Sequence, residues 1–431
     1  MHDLGVIDAF HLRVHQRMVA RAGLHNVCAL VCEIDGRVDR ERLQARLGYA
    51  VEHLPELRWR CGQRRGLWPI WREGPTEDPS ASWQSTDHVL CTVMQMLEQP
   101  LDRLWSVDVL SGEEHDTLVF RWFHSLTDAR GATRFVKWLG HEDEPLPDAG
   151  ARYRNSDRFA QGLGWKRQLQ LLRRYAAHID TLSARPIMSL DTIAGQRDPG
   201  VSRALRMCWD EEQTRAFDRS VRRRAKLADT SVIVWAAARL LDRLQARRGY
   251  SAPRQIIPVP MSWEPKGETA RMFGNELTML MLSLDREEWA NERTAIDSLA
   301  RQRREIIKLE LDRAAIVAMR LARPLPSPIH HWLLTRKFNG ERASQVVSNP
   351  GRIEIDTFFG SPVRDAYPVP VAVVPPGLQI VTSRHRGRLG VSVIYRDKII
   401  SEAELRAEWE SFARDLRGEN DATAPESLSE D

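Results

Sequence analysis

The sequence predicts an α/β protein of two lobes. Short apolar runs typical of buried strands alternate with segments whose apolar residues recur at helical spacing. The chain has 431 residues, and domains commonly span roughly 100–200 residues, so two or three folding units are expected. Residues 141–200 contain two weakly patterned segments, 141–164, where charged residues, Pro and Gly are frequent, and 183–200, on either side of a predicted helix. We therefore place the boundary between the lobes inside this stretch.

The N-terminal half opens with a predicted strand and helix. Residues 25–34 form a short apolar run suited to a buried strand, and an Asp-Gly pair then turns the chain. Leu43, Leu47 and Val51 share one face of the helix that follows, which is expected to end near Pro55. This pattern predicts a strand with a helix packed against it.

A second strand and helix flank a polar loop. Residues 57–73 are rich in tryptophan and have a strand-and-turn pattern, and residues 74–86 are expected to form a loop. Residues 117–123 are typical of a strand, residues 124–131 are polar and turn-prone, and residues 132–139 are typical of a helix. A rigid strand presents such a loop in a fixed position, so this junction is a favoured place for chemistry.

The C-terminal half continues the alternation of strands and helices. A Pro-rich segment at 324–328 breaks the longest helical stretch, which is one or two helices over 286–321. The acidic, Ser-rich tail at 418–431 is expected to be disordered. The other predicted helices cover 165–182, 211–226, 230–247 and 402–416, and the predicted strands cover 204–209, 255–261, 276–284, 345–348, 378–384 and 389–395.

Composition and charge exclude several classes of protein. Hydrophobic residues make up 42% and charged residues 28% of the chain, which excludes a wholly disordered protein. Because 63 Lys and Arg stand against 59 Asp and Glu, nucleic acid is not expected as a partner. No apolar run approaches the roughly 18–20 residues of a membrane span, and the N-terminus lacks a signal-peptide pattern. Five irregularly spaced cysteines suggest reduced thiols, so we expect a cytoplasmic protein.

The candidate catalytic pair is His124 and Asp128. Histidine can accept a proton near neutral pH because its ordinary pKa is about 6.5. A general base must also be oriented within hydrogen-bond reach of the proton that it takes. A carboxylate four residues later can order the loop through a salt bridge without touching the imidazole. By itself, the same spacing is more typical of a structural, half-buried histidine at the end of a strand.

Other histidine and cysteine pairs have simpler interpretations. Cys28 and Cys32 share one face of a strand, which favours core packing. His11 and His15 would share one face of a helix, and without a third ligand we expect a surface pair rather than zinc. No metal site is predicted anywhere. The pair at 330–331 lacks a following aspartate and is interpreted as the start of a helix after the Pro-rich break.

Several short segments, each weak alone, are similar to segments that one superfamily has in the same order. The central segment, 122–131, reads Trp-Phe-His-Ser-Leu-Thr-Asp-Ala-Arg-Gly. The others are 7–10, 38–43, 53–58, 273–277, 347–351 and 376–392. Together they resemble the His-His-x-x-x-Asp-Gly thioester-dependent acyltransferases. This superfamily includes chloramphenicol acetyltransferase, the condensation domains of nonribosomal peptide synthetases, polyketide-associated acyltransferases and wax ester synthase/diacylglycerol acyltransferases.

The chain departs from the family motif at two positions. Phe123 stands where the family has its first histidine, and Ala129 stands where it has glycine. The second histidine is the catalytic one in the family, and it matches His124. Ala129 fits only if its backbone has a negative φ, since glycine alone adopts positive φ freely. The Asp-Phe-Gly-Trp-Gly signature of the condensation and plant-type members is also absent; residues 356–360 lie in that part of the chain without matching it.

The resemblance implies a fold and a mechanism. It implies two chloramphenicol acetyltransferase-like lobes, 1–185 and 186–417, each a mixed sheet with flanking helices, with an active-site tunnel at their interface. His124 would remove the acceptor's proton as it attacks a thioester, without a covalent acyl-enzyme. Asp128 would be structural, held by an arginine that the sequence does not identify. The candidates for lining the tunnel are Phe123, Thr127, Gly131, Asn275, Ser348 and Asn349, although the last two also fit a plain turn.

The resemblance also implies the substrates and leaves alternatives open. The donor would be acyl-CoA or an acyl group on the phosphopantetheine of a carrier protein, with no permanently bound cofactor. The acceptor would be a small alcohol or amine in natural-product or lipid biosynthesis. Two basic clusters, 222–224 and 301–304, are expected to face solvent or else to dock donor phosphates or an acidic carrier protein. A lipid O-acyltransferase and a catalytically degenerate binding or scaffold protein are the two rival interpretations.

Overall fold

The computed structural model describes residues 2–64, 68–77, 79–225 and 229–419, and it confirms a mixed α/β architecture. Most of the predicted tail therefore lies outside the described residues. The helices are α1 (Val6–Ala22), α2 (Arg40–His53), α3 (Val89–Glu98), α4 (Ala129–Leu139), α5 (Ala149–Arg152), α6 (Trp165–Leu182), α7 (Leu190–Ala194), α8 (Glu211–Ala225), α9 (Asp229–Ala246), α10 (Arg286–Trp289), α11 (Glu292–Lys308), α12 (Leu311–Ala322), α13 (Ser327–Thr335) and α14 (Glu402–Arg417).

Within the described ranges, the strands form four sheets. They are β1 (His2–Asp3), β2 (Val27–Ile34), β3 (Trp59–Arg64), β4 (Trp68–Glu73), β5 (Ser82–Ser85), β6 (Trp105–Ser111), β7 (Asp116–Phe123), β8 (Ser202–Trp209), β9 (Arg254–Ser262), β10 (Leu277–Asp285), β11 (Val346–Arg352), β12 (Thr357–Phe358), β13 (Ser361–Pro370), β14 (Leu378–His385) and β15 (Arg388–Arg396). The sheet orders are β12-β13-β2-β7-β6-β5, β11-β14-β15-β8, β1-β4-β3 and the pair β10-β9.

The six-stranded sheet holds the centre of the N-terminal lobe. Strand β2 pairs antiparallel with β7 on one side and with β13 on the other. Its residues are almost all buried, because helices and the second lobe cover both faces. Strands β12 and β13 come from the C-terminal half of the sequence, so the chain crosses back into this sheet after residue 355. The boundary near residue 185 stays a prediction.

Strand β13 is an element that the sequence patterns did not predict. Pro368 and Pro370 lie within it, paired with Leu30 and Cys28. Proline removes a ladder donor and is therefore confined to positions where that donor is not needed. Strand β12 pairs only with the first two residues of β13. Beyond Pro362, β2 is the only described strand that is hydrogen-bonded to β13, so the other side of β13 is a sheet edge. An edge position of this kind tolerates the prolines that made the segment unlike a strand.

The C-terminal lobe is built around helix α9 and two sheets. Its largest apolar cluster joins α9 to β9, β10, β14 and β15, and Trp235 and Trp289 are among its fully buried side chains. The indole Nε1–H of Trp235 donates to the carbonyl of Trp289 at 3.1 Å, which satisfies the polar end of a buried aromatic ring. This core fixes the strands that face the first lobe.

Several element boundaries differ from the predictions. The helical stretch 286–321 is divided into α10, α11 and α12, because Asn291 caps α11 and Glu310 has a φ of 54° before α12. The expected loop at 74–86 contains β5, and the expected irregular stretch at 183–200 contains α7. Helix α3 and strand β6 also lie between the predicted elements. Strand β5 and helix α7 have only four and five residues, which is too few for a recognisable periodicity.

Candidate active site

His124 directly follows β7 and faces a cavity between the two lobes. Its backbone is held from both sides: its N–H donates to the carbonyl of Asn26 at 3.1 Å, and its carbonyl accepts from Nδ2 of Asn275 at 2.9 Å. Asn26 lies just before β2 and Asn275 just before β10, so one element of each lobe fixes the position of the histidine.

The imidazole of His124 is suited to accept a proton. Burial lowers its pKa below the ordinary value of 6.5, although the negative charge of Asp128 acts in the opposite direction. Nδ1 of His124 is buried and has no hydrogen-bond partner among the residues described. A neutral ring is the form that a general base requires.

A second imidazole, that of His11, stacks on His124. The ring centroids lie 3.6 Å apart and the planes differ by 8°. Burial, and secondarily the charge of His124, hold the pKa of His11 well below its usual range. The expected surface pair is therefore wrong: His11 lines the cavity, and His15 accepts from the N–H of Asn26 at 3.3 Å. The second lobe and the end of β7 cover the face of α1 that the spacing alone suggested was exposed.

Asp128 belongs to a buried charge network that fixes the loop. Its Oδ1 accepts from the backbone N–H groups of Arg130 at 3.1 Å and Gly131 at 3.0 Å, which caps helix α4. The same oxygen accepts from Nη2 of Arg271 at 2.8 Å. Arg271 is fully buried and also pairs with Glu264. Arg271 is therefore the arginine that the sequence did not identify, and Asp128 organises the loop without being shown to touch the imidazole.

Glu264 completes the network on the other side of Arg271. Burial raises its pKa, but hydrogen bonds and charge from Arg134 and Arg271 outweigh this and lower the pKa to about 2. Arg134 contributes two bonds to the carboxylate, at 2.7 and 3.0 Å. Every charge in this group therefore faces an opposite charge, as a stable buried network requires.

Two of the tunnel candidates lie behind the loop rather than on the cavity wall. Thr127 is buried, and its hydroxyl donates to the carbonyl of Met272 at 2.8 Å. A Cβ added at Gly131 would lie 2.1 Å from Oγ1 of Thr127 and 2.6 Å from the carbonyl oxygen of Met272. Both residues make close packing between the loop and the second lobe possible.

Ala129 begins helix α4 and has a helical, negative φ. The family's glycine is thus replaced without backbone strain, which meets the condition set by the sequence. The methyl group of Ala129 lies on the cavity wall. Phe123 is not one of the described residues that line the cavity. Its ring packs edge-on against His15, with the ring centroids 4.8 Å apart.

Of the three remaining candidates, Asn275, Ser348 and Asn349, one lines the cavity. Asn275 is fully buried behind the wall, where it holds His124 and donates twice to Asp8 at 2.9 Å. Burial raises the pKa of Asp8 to about 6, and the hydrogen bonds from Asn275 oppose this. Ser348 lies on the cavity wall, whereas Nδ2 of Asn349 turns toward Thr230 at 3.4 Å.

The cavity is mostly apolar and encloses about 320 Å³. Its wall combines α1 with strands β9, β10, β11 and β14 and with the Pro-rich segment 368–376. Methionines are frequent in the wall, and their flexible thioether side chains adapt to ligands of varied shape. The apolar part of the wall includes Ile7, Phe10, Val14, Met18, Leu277, Met279, Met281 and Met319.

The two basic clusters of the sequence do not belong to this wall as far as the structure describes it. Arg224 pairs with Glu292 at 2.6 Å and also donates to the carbonyl at Leu416, so its charge joins α8 to α11 and α14. Arg301 donates to Ser298 on its own helix at 3.2 Å. Docking of phosphates at these clusters stays a prediction.

Comparisons with solved structures support the two-lobe fold. No protein-family model and no curated protein matches the sequence. Among solved structures, the first condensation domain of the CDA synthetase is 17% identical with a TM-score of 0.71, covering 96% of this chain and 95% of its own. The trichothecene 15-O-acetyltransferase from Fusarium sporotrichioides is 12% identical with a TM-score of 0.71, covering 97% and 95%.

A third similar structure contains ligands. It is a mutant starter condensation domain of rhizomide synthetase in complex with C8-CoA and Leu-SNAC, 12% identical with a TM-score of 0.65, covering 97% of this chain and 94% of its own. The two-lobe chloramphenicol acetyltransferase-like fold that the motif resemblance implies is thus confirmed over nearly the whole chain. None of the helices within the described residues is long and apolar enough to cross a membrane.

Proposed function

We propose that the protein transfers an acyl group from a thioester to a hydroxyl or amine, with His124 as the general base. The observation that supports this most directly is a neutral imidazole at the wall of an apolar cavity between the two lobes, on a backbone that residues of both lobes hold. Condensation domains and an acetyltransferase share the fold. Because a fold alone does not determine a function, the proposal depends on the residues of the site.

The proposed reaction needs only the imidazole and the two substrates. His124 takes the proton from the acceptor as its oxygen or nitrogen attacks the thioester carbonyl carbon. The carbon–sulfur bond then breaks, and the protonated imidazole returns the proton to the departing thiolate. No covalent acyl-enzyme and no resident cofactor are involved. The donor would be acyl-CoA or a carrier-bound phosphopantetheine thioester, and the five free cysteines are consistent with a reducing, cytoplasmic setting.

A lipid O-acyltransferase is a second candidate, and the apolar, methionine-containing wall favours it. Such a wall would accept a long acyl chain or a fatty alcohol. The two candidates differ in the acceptor and share the same base, so a panel of acceptors separates them.

The proposal is tested by free-thiol release. The full chain is incubated with acyl-CoA donors of increasing chain length and with panels of small amines, small alcohols and fatty alcohols. We expect thiol release that depends on the acceptor, together with an ester or amide product detected by mass spectrometry. If no donor is turned over under any condition, the scaffold interpretation replaces this one.

A further inference from the structure

One sector of the cavity wall is basic, and no aspartate or glutamate lines the cavity among the described residues. We call it the basic sector. It consists of Arg13 and Arg17 on α1, His330 and His331 on α13, and Arg342 shortly after α13. The remainder of the wall is largely apolar, so the grouping of these side chains is a local feature.

Arg13 is buried, and no described residue gives it an ionic partner. Its exposed fraction is 8%. Its guanidinium donates to Oε1 of Gln16 at 3.0 Å and to the carbonyl of Arg323 at 3.4 Å, and both acceptors are neutral. Its Nε is buried and makes no hydrogen bond within the described chain. Burial lowers the pKa of Arg13, as expected for a charge that the structure does not neutralise.

Arg342 is half-buried and also lacks a carboxylate partner among the described residues. It donates to the hydroxyl of Tyr175. Its Nε is likewise buried without a partner in the part of the chain that the structure describes. Removing a guanidinium from water without a counter-charge is costly unless a ligand supplies that charge.

Arg17 stands at the rim, where two carboxylates lie nearby but are already engaged. Nη1 of Arg17 lies 3.0 Å from Nδ1 of His331. Asp191 is bound by Arg21 at 2.8 and 3.0 Å, and Glu341 accepts from the backbone N–H of Ser189 at 3.0 Å. Their charges still favour the charged form of Arg17, although burial and Arg21 lower its pKa overall.

The histidines of the sector are neutral in the absence of an anion. Burial lowers the pKa of His330 to about 4, and the charges of Arg13, Arg342 and His331 act in the same direction. Burial and the charge of Arg17 lower the pKa of His331 to about 4. Burial, and secondarily the charge of Arg342, also lower the pKa of His178 to about 4. The positive charge of the sector therefore lies on its arginines, and Arg13 and Arg342 have no carboxylate partner among the described residues.

We propose that the basic sector binds an anionic oxygen group, a carboxylate or a phosphate, carried by a substrate of the cavity. Guanidinium groups match the planar or tetrahedral oxygen sets of these anions with two donors each. Arg13 and Arg17 follow His11 by two and six residues on one helix, which is roughly 3 and 9 Å of helical rise. Along the helix axis, the anion would thus be held roughly half a turn to two turns from His11, which stacks on His124. The identification of this anion as part of a substrate rests on the proposed function.

Binding measurements on the full chain test this proposal with matched probes. Decanoate is compared with 1-decanol, which has the same chain without the charge, and phosphopantetheine is compared with pantetheine. Calorimetry is run on the wild type, on Arg13→Gln and Arg342→Gln, and on Arg215→Gln as a control. Arg215 lies on the exposed face of α8, paired only with Glu211 at 3.3 Å among the described contacts of that helix.

We expect the wild type to bind at least one charged probe about tenfold more tightly than its neutral match, as one or two charge-assisted hydrogen bonds allow. Arg13→Gln and Arg342→Gln should lose that preference, while Arg215→Gln keeps it. Preference for decanoate alone would assign the anion to a carboxylate, and preference for phosphopantetheine alone would assign it to the donor. No preference in either pair, or an equal loss in the control, would overturn the proposal.

The same measurements separate this proposal from the proposed function. Binding of the probes does not require turnover, so His124→Ala should retain the preference for the charged probe. If an arginine variant does not fold, Arg17→Gln at the half-buried rim replaces it and should weaken the preference severalfold. A protein that turns over thioesters but ignores the charge of every probe would retain its proposed function without an anion site.

Discussion

Two groups of arginines lie near the same cavity, and within the described residues carboxylates neutralise only one of them. Behind the catalytic loop, Arg271 lies between Asp128 and Glu264, and each charge faces an opposite one. Across the cavity, Arg13 and Arg342 contact only neutral acceptors in the described structure. The first group is complete in the free protein and stabilises the loop. The second is incomplete, which is the arrangement expected of a site that awaits a charged ligand.

Removing the central arginine of the complete group should have the largest effect on stability. Arg271→Gln would leave two carboxylates buried without their shared partner, and breaking a buried pair typically costs about 3–5 kcal/mol. Urea denaturation would measure the free energy of unfolding against the wild type. A loss below about 1 kcal/mol would be expected only of an exposed pair and would contradict the buried network.

Adding one methyl group behind the loop should be the next most damaging change. The Cβ of Gly131→Ala would collide with the side chain of Thr127 and the backbone of Met272. Overpacking of this kind costs about 1–3 kcal/mol. Ala129→Gly in the neighbouring position is the matched control, since it removes a methyl from the cavity wall. It should cost no more than about 1 kcal/mol of helix propensity. Thermal unfolding of both variants checks the contrast.

Removing a charge from the incomplete group should change stability little or raise it. Arg13→Gln deletes a buried charge that has no ionic partner, so we expect a free energy of unfolding within about 1 kcal/mol of the wild type, or above it. The measurement is the same urea titration that is used for Arg271→Gln. A destabilisation as large as that of Arg271→Gln would mean that the two groups do not differ.

The smallest expected effect is a displacement of the pH profile. A general base works only when neutral, so activity is lost as the pH falls through the pKa of His124. Because burial lowers that pKa, the acidic limb of kcat/KM should lie below pH 6.5. A limb at or above pH 6.5 would show that the group governing the reaction is not the buried imidazole.

The elements that could be predicted from the sequence are those whose hydrophobic pattern lies within one short, continuous segment. The runs that became β2 and β7 and the periodicity of α14 are visible within a single window of residues. Strand β13 was missed because its prolines are acceptable only at a sheet edge, which is a property of the assembled sheet. The motif also located the candidate loop, since His124 and Asp128 lie four residues apart in the sequence.

Long-range partners of the site could not be predicted in this way. Arg271 lies 143 residues from Asp128, and many other arginines were equally possible. His11 was visible through its spacing with His15, but only the packing of the second lobe shows that its helical face is covered. That Arg13 and Arg342 line one sector of the cavity has no sequence signal, because the two arginines lie far apart in the chain.

The most direct test is the rate of thiol release by His124→Ala compared with the wild type, using the best donor and acceptor found in the panel. General-base catalysis typically contributes about 10²–10⁴-fold, so we expect kcat/KM to fall by at least a hundredfold. Circular dichroism should show an unchanged fold, because the contacts of residue 124 with Asn26 and Asn275 are made by its backbone. An unchanged rate of acceptor-dependent thiol release would contradict the assignment of His124 as the base.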